Sequence, residues 1–260
     1  MTNKLLSVVK GQIPIVGFVN ESQLYVTGET DERIALLRSW LDAGAELGNH
    51  TYSHIGFRDA SLAQYQDDFV RGDTVINRLL REKGKKARYF RHPFLQMGTT
   101  PELEKSFRSF MAERGYQAAP ITIDSLDWMI SSVYRKVRNR GDLETARRVS
   151  DEYLKFVDRR FAHAEETATE LFGRNIDHIL LLHANELTAD NLDNLVKVIE
   201  RRGYKLVTLE QALSDPVYQF PERYIPTSNW LRHWSFSKQK KYSPPMPAEF
   251  ITKIYDEGQN

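Results

Sequence analysis

Two histidines four residues apart, in the run His50-Thr51-Tyr52-Ser53-His54, are the residues of this 260-residue chain best spaced for chemistry. On one helical turn such a pair presents two imidazoles to a single metal ion, although the same spacing also suits a bland surface pair. Position favours the ligand reading. The pair follows an apolar run over residues 45–49 that reads as a strand, and in βα folds the C-terminal ends of strands face the ligand. Three further polar clusters follow strand-like runs in the same way. Residues 87–90 lead into Arg91-His92-Pro93-Phe94, where the proline turns the chain away; residues 117–123 lead into Asp124-Ser125-Leu126-Asp127-Trp128; residues 179–182 deliver His183. Taken singly, each has a plain alternative: a surface salt bridge for Arg91, a helix cap for either aspartate, a satisfied core histidine for His183.

These rims need a βα series to position them, and the periodicity supplies one. Apolar or β-branched runs over residues 13–19, 45–49, 87–90, 117–123, 179–182 and 205–209 alternate with longer helical patterns. Thr30 caps a helix with Ile34, Leu37 and Leu41 on one face, and Ser61 with Gln64 forms a capping box before a helix presenting Leu62, Tyr65, Phe69, Ile76 and Leu80. Thr100-Pro101 opens another, closing at Gly115, and residues 190–202 form the last amphipathic helix. Residues 142–171 are helix-prone but so charged that most of the segment is expected to be a solvated face packed on one side, without chemistry. After Asp215 the pattern gives way to Pro, aromatic and basic residues, read as an extended tail covering apolar surface.

Composition narrows the classes. With 41% hydrophobic and 27% charged residues the chain is an ordinary globular one, and 36 basic against 35 acidic residues create no global field for nucleic acid or anionic membrane. No apolar run is long enough to span a bilayer. Zero cysteines remove thiolate ligands and nucleophiles, which leaves His and carboxylates to hold any metal.

Taken together and in order, the four rim segments resemble the polysaccharide deacetylase family, also called the NodB homology domain or carbohydrate esterase family four. HTYSH is similar to its metal-binding H-[ST]-x-x-[HS] motif, RHPF to R-x-P-[FY], TIDSLDW to D-x-x-D-W and LLH to L-x-H, over about residues 4–213. The resemblance implies an α/β fold, a distorted (β/α) barrel with a long helical insertion, as a catalytic domain over residues 1–213, with residues 214–260 an extension packed on it. It implies a hydrolase that removes N-acetyl groups from amino-sugar polymers with metal-activated water, so the partner is an N-acetylated carbohydrate and not nucleic acid. By the same resemblance His50 and His54 hold a divalent metal, zinc being the expected ion. His183 protonates the leaving amine, Asp124 holds His183 in its tautomer and favours its charged form, Arg91 orients the base, and Pro93, Phe94 and Trp128 wall the substrate groove.

The family's first motif, T-F-D-D, carries the general base and the third metal ligand, and no Asp-Asp pair precedes His50. Two expectations follow. Either the true start lies upstream, with a periplasmic or secreted location, or the protein is a catalytically inactive relative that binds carbohydrate. On both, the 260-residue polypeptide is expected to be impaired, with the barrel's first strand missing and strand edges exposed beside residues 13–19.

Overall fold

The computed structural model describes residues 1–10, 13–219, 224 and 226–257. In chain order the elements are α1 (Thr2–Val9), β1 (Val16–Val19), α2 (Thr30–Asp42), β2 (Glu46–Asn49), α3 (Leu62–Arg71), α4 (Thr74–Arg81), β3 (Tyr89–Phe90), α5 (Pro101–Glu113), β4 (Gln117–Ala118), β5 (Ile123–Asp124), α6 (Asp127–Asn139), α7 (Leu143–Phe172), β6 (Leu180–Leu181), α8 (Glu186–Arg201), α9 (Leu209–Leu213), α10 (Trp230–Ser237) and α11 (Glu249–Asp256). The fold is α/β, and all strand pairings are parallel. One sheet runs β1-β2-β3-β4 and a second pairs β5 with β6, so the described strands form two parallel sheets rather than a closed barrel.

The expected strand over residues 117–123 divides because Pro120, which lacks an N–H, falls in its middle. Its first part pairs with β3 and its last with β6, while Ile121 between them bridges Asn229. The expected strand over residues 205–209 pairs with nothing described; Thr208 instead caps α9. The single helix expected after Ser61 is two, α3 and α4. The capping box of Ser61 and Gln64 forms, but the helix stops at Gly72, where a Cβ would lie 2.5 Å from the Thr51 carbonyl carbon. Neither does Thr30 cap α2: the N-cap is Glu29, and the Thr30 hydroxyl donates to the Val26 carbonyl.

Two large cores carry this framework. Phe57, Tyr65, Phe69, Phe90 and Phe107 fill the space between α3, α4, α5 and the first sheet. Val149, Tyr153, Phe156 and Val157 on one face of α7 pack with Ile130 and Val133 of α6 and Leu195 of α8. Helix α7 is therefore packed along one side, as its charge pattern requires. The tail is not extended throughout. It forms α10 and α11, whose Leu231, Trp234 and Ile251 are buried in the α6–α8 core, while residues 220–223, 225 and 258–260 of it lie outside the description.

Candidate active site

His50 and His54 come together, but not on a helical turn. Thr51 and His54 both adopt positive φ, 63° and 62°, so residues 50–54 form a tight loop. That loop is built by neighbours: the Asn49 carboxamide accepts from the Thr51 N–H and donates to the Phe69 carbonyl. Buried Asp68 of α3 accepts from the N–H and hydroxyl of Ser53 while its own carbonyl accepts from the Tyr52 N–H. The imidazole rings end 4.9 Å apart, centre to centre, edge to face. Nothing in the sequence pattern marks Asn49 or Gly72, and Asp68 shows there only as an aspartate next to Phe69.

The tautomer of His50 is defined by its contact with Arg91. The Nδ1 of His50 lies 2.7 Å from the Arg91 carbonyl, which can only accept, so Nδ1 carries the proton and Nε2 keeps its lone pair free. Burial pushes the His50 pKa down to about 3 and lowers that of His54, with the charge of His183 acting the same way on both. Neutral imidazole with one nitrogen tied to a carbonyl is the form that binds a divalent ion. His50 meets that description, and the His54 ring lies against it. Among the described residues no third His, Asp or Glu joins them.

Arg91 is buried and follows β3, whose partner β2 ends at Asn49. Its guanidinium donates to the carbonyls of Ala119 and Pro120 and lies 4.4 Å above the Phe18 ring, and burial lowers its pKa to about 10. Its described side-chain contacts are carbonyls and a ring, not a carboxylate. Pro93 is buried and opens a turn in which Phe94 has φ of 54°; this strained corner aims an exposed ring, 4.5 Å from His54.

After β5 and β6 the structure corrects the assignment of Asp124. Its carboxylate accepts from the Leu126 N–H, and its carbonyl accepts from Arg160 of α7, a residue of the segment expected to have no chemistry. The partner of His183 is Asp127. Leu126 adopts φ of 48°, a left-handed step that swings Asp127 inward as the first residue of α6. Fully buried, Asp127 accepts through Oδ1 from His183 Nδ1 at 2.7 Å. Its Oδ2 accepts from the His183 N–H, Asn185 Nδ2 and the Thr188 hydroxyl at 2.7, 2.8 and 3.0 Å. Helix α8 starts at Glu186, four residues earlier than the sequence pattern indicated, which brings Asn185 and Thr188 to this carboxylate. Burial alone would depress the His183 pKa, but the Asp127 hydrogen bond and the charges of Asp127 and Asp124 raise it overall. The His183 side chain is nonetheless 46% exposed, and Asp127 engages it through Nδ1, the ring nitrogen opposite Nε2. Trp128, which follows Asp127 in α6, is 48% exposed, with Tyr255 of α11 packed edge-on at 6.0 Å.

The site thus joins two neighbouring imidazoles and a carboxylate-held histidine on a parallel α/β framework, and comparison shows what that framework resembles. Residues 1–119 match the model of the polysaccharide deacetylase family. A peptidoglycan-N-acetylglucosamine deacetylase of Bacillus cereus is 22% identical over 109 residues, 42% of this chain and 36% of that protein. The chain thus spans about a third of the length of that relative. In fold, it is similar to a polysaccharide deacetylase from Bacillus cereus, with a TM-score of 0.55 at 17% identity over 90% of this chain and 92% of the other. It is also similar to a carbohydrate esterase family four pseudoenzyme from Bacillus anthracis, with a TM-score of 0.55 at 18% identity over 82% of this chain and 60% of the other.

Proposed function

We propose that this chain recognises N-acetylated amino-sugar polymers and carries the imidazole and acid parts of a metal-dependent deacetylase. The observation that supports this most is the half-exposed His183 held by the buried Asp127 carboxylate, with the His183 charge acting on His50 and His54. His50 and His54 would hold a divalent ion, zinc being the first choice for imidazole donors, and such an ion supplies Lewis acidity toward an amide carbonyl and water. His183, protonated at Nε2, donates to the amine as it departs; Asp127 keeps the other nitrogen protonated and offsets the charge. Trp128 and Phe94 offer flat apolar faces to sugar rings, and Arg91 holds the floor between the rims.

The second reading, carbohydrate binding without turnover, is favoured for the 260-residue polypeptide by one fact: among the described residues no carboxylate joins the two histidines in a group that could hold a metal. General bases contribute about 10² to 10⁴-fold, so hydrolysis by this polypeptide is expected near background. The test measures acetate release from a chitin tetramer with zinc present, alongside calorimetric binding of the same oligomer. Binding that Trp128→Ala weakens, with background release, supports the reading. Robust zinc-dependent release abolished by His183→Ala would refute the impairment, and absence of any binding would refute the carbohydrate reading itself.

A further inference from the structure

Beside the candidate site lies a cavity of about 290 Å³ that no step above uses. Arg58, Arg232 and Lys240 line it, together with Phe236, Thr227 and Tyr242. Its position is fixed by two contacts. The Ser228 N–H, next to Thr227, donates to the carbonyl of Leu95, whose neighbour Phe94 packs on His54. Arg58 itself follows the histidine loop by four residues and donates to the Pro226 carbonyl.

The charges in this cavity are unbalanced. Lys240 pairs with Glu170 at 2.9 Å, but neither Arg58 nor Arg232 has a carboxylate within ion-pair distance among the described residues. Like charges converging on one concavity repel unless an anion sits between them, and guanidinium forks suit planar oxyanions. The phenol of Tyr242 and the Thr227 hydroxyl add polar partners, and the exposed ring of Phe236 adds an apolar face. Such a mixture suits a sugar that bears a negative group, and the volume is near the lower end of ligand pockets, about 300 Å³.

We infer that this cavity is a subsite for an anionic substituent, a carboxylate or a phosphate ester, on a saccharide unit flanking the one presented to His54 and His183. The inference rests on the carbohydrate reading for its saccharide but not for its anion. It makes the chain selective for acidic N-acetylated glycans over neutral ones. Two solvent-exposed ion pairs together correspond to roughly tenfold in affinity at moderate salt.

The full chain is titrated calorimetrically with a neutral chitin oligomer, with an oligomer of the same length bearing a carboxylate on one sugar, with its phosphorylated counterpart, and with inorganic phosphate. Each titration is repeated on Arg58→Glu/Arg232→Glu and on Arg58→Lys/Arg232→Lys. We expect the acidic oligomers to bind roughly tenfold tighter than the neutral one, the advantage to vanish in the Glu variant and with rising salt, and the Lys variant to keep most of it. The carboxylated and phosphorylated arms show which group is preferred. Neutral binding unchanged in the Glu variant leaves the carbohydrate reading standing by itself. Charge-dependent binding of inorganic phosphate with no binding of any oligomer supports the anion site and refutes the carbohydrate reading. Equal affinity of wild type and Glu variant for the acidic oligomers, or no binding of any anion, overturns the inference.

Discussion

Replacing Asp127 by Asn tests the reasoning about the acid rim, because the geometry dictates how the amide must sit. Three donors, the His183 N–H, Asn185 Nδ2 and the Thr188 hydroxyl, converge on Oδ2 within 3.0 Å, so that corner can accept only the amide oxygen. The amide NH₂ is then forced to the Oδ1 position, 2.7 Å from His183 Nδ1. A donor facing Nδ1 obliges it to accept, which moves the ring proton to Nε2 and inverts the tautomer. The imidazolium loses its charge-assisted bond at the same time, so the His183 pKa is expected to fall from above its ordinary value to below it. Losing a hydrogen bond to a buried charge costs about 1.5–3 kcal/mol of stability. The sign follows from the raised pKa. The extra stability of the charged pair is full below about pH 6.5, the unfolded value, and is lost as pH rises through the higher folded value. Urea unfolding of wild type and Asp127→Asn should therefore differ most below pH 6.5 and converge in part above it. Nitrogen NMR of the ring, labelled at both positions, reads the tautomer and the titration directly. A variant whose His183 keeps its proton on Nδ1 and titrates where the wild type does would refute the argument.

Two further outcomes are expected. Zinc titrated into metal-free protein should bind weakly, through two imidazoles, and the His50→Ala/His54→Ala double variant should not bind it; calorimetry showing equal binding by both proteins would remove the histidine pair from consideration. Gly72→Ala should destabilise the fold by about 1–3 kcal/mol and shift the resonances of the 50–54 loop, because its Cβ would meet backbone atoms of Thr51 and Tyr52 at 2.5–2.6 Å. An alanine variant with wild-type melting and spectra would show that this contact does not hold the loop.

Much of the architecture was legible because it follows from local chemistry. The βα alternation, the capping box at Ser61 and the helix opened by Thr100-Pro101 depend on residues within a few positions of one another, and the structure keeps them. So does the placing of His50, Arg91, Asp124 and His183 at strand ends, since an apolar run followed by a polar residue has one economical home in a parallel sheet. What the sequence could not decide was every choice made across space. Whether Asp124 or Asp127 serves His183 depends on a left-handed turn at Leu126 and on where α8 begins. Whether His50 and His54 meet on a helix or in a loop depends on Asn49, on Asp68 and on a glycine twenty-two positions beyond His50. Likewise Arg58 and Arg232, 174 residues apart, become one charged concavity only after α10 folds back onto the core. Propensity and period act over a turn or a strand, whereas hydrogen-bond saturation of a buried carboxylate and the pooling of charge are settled by packing, which one dimension does not contain.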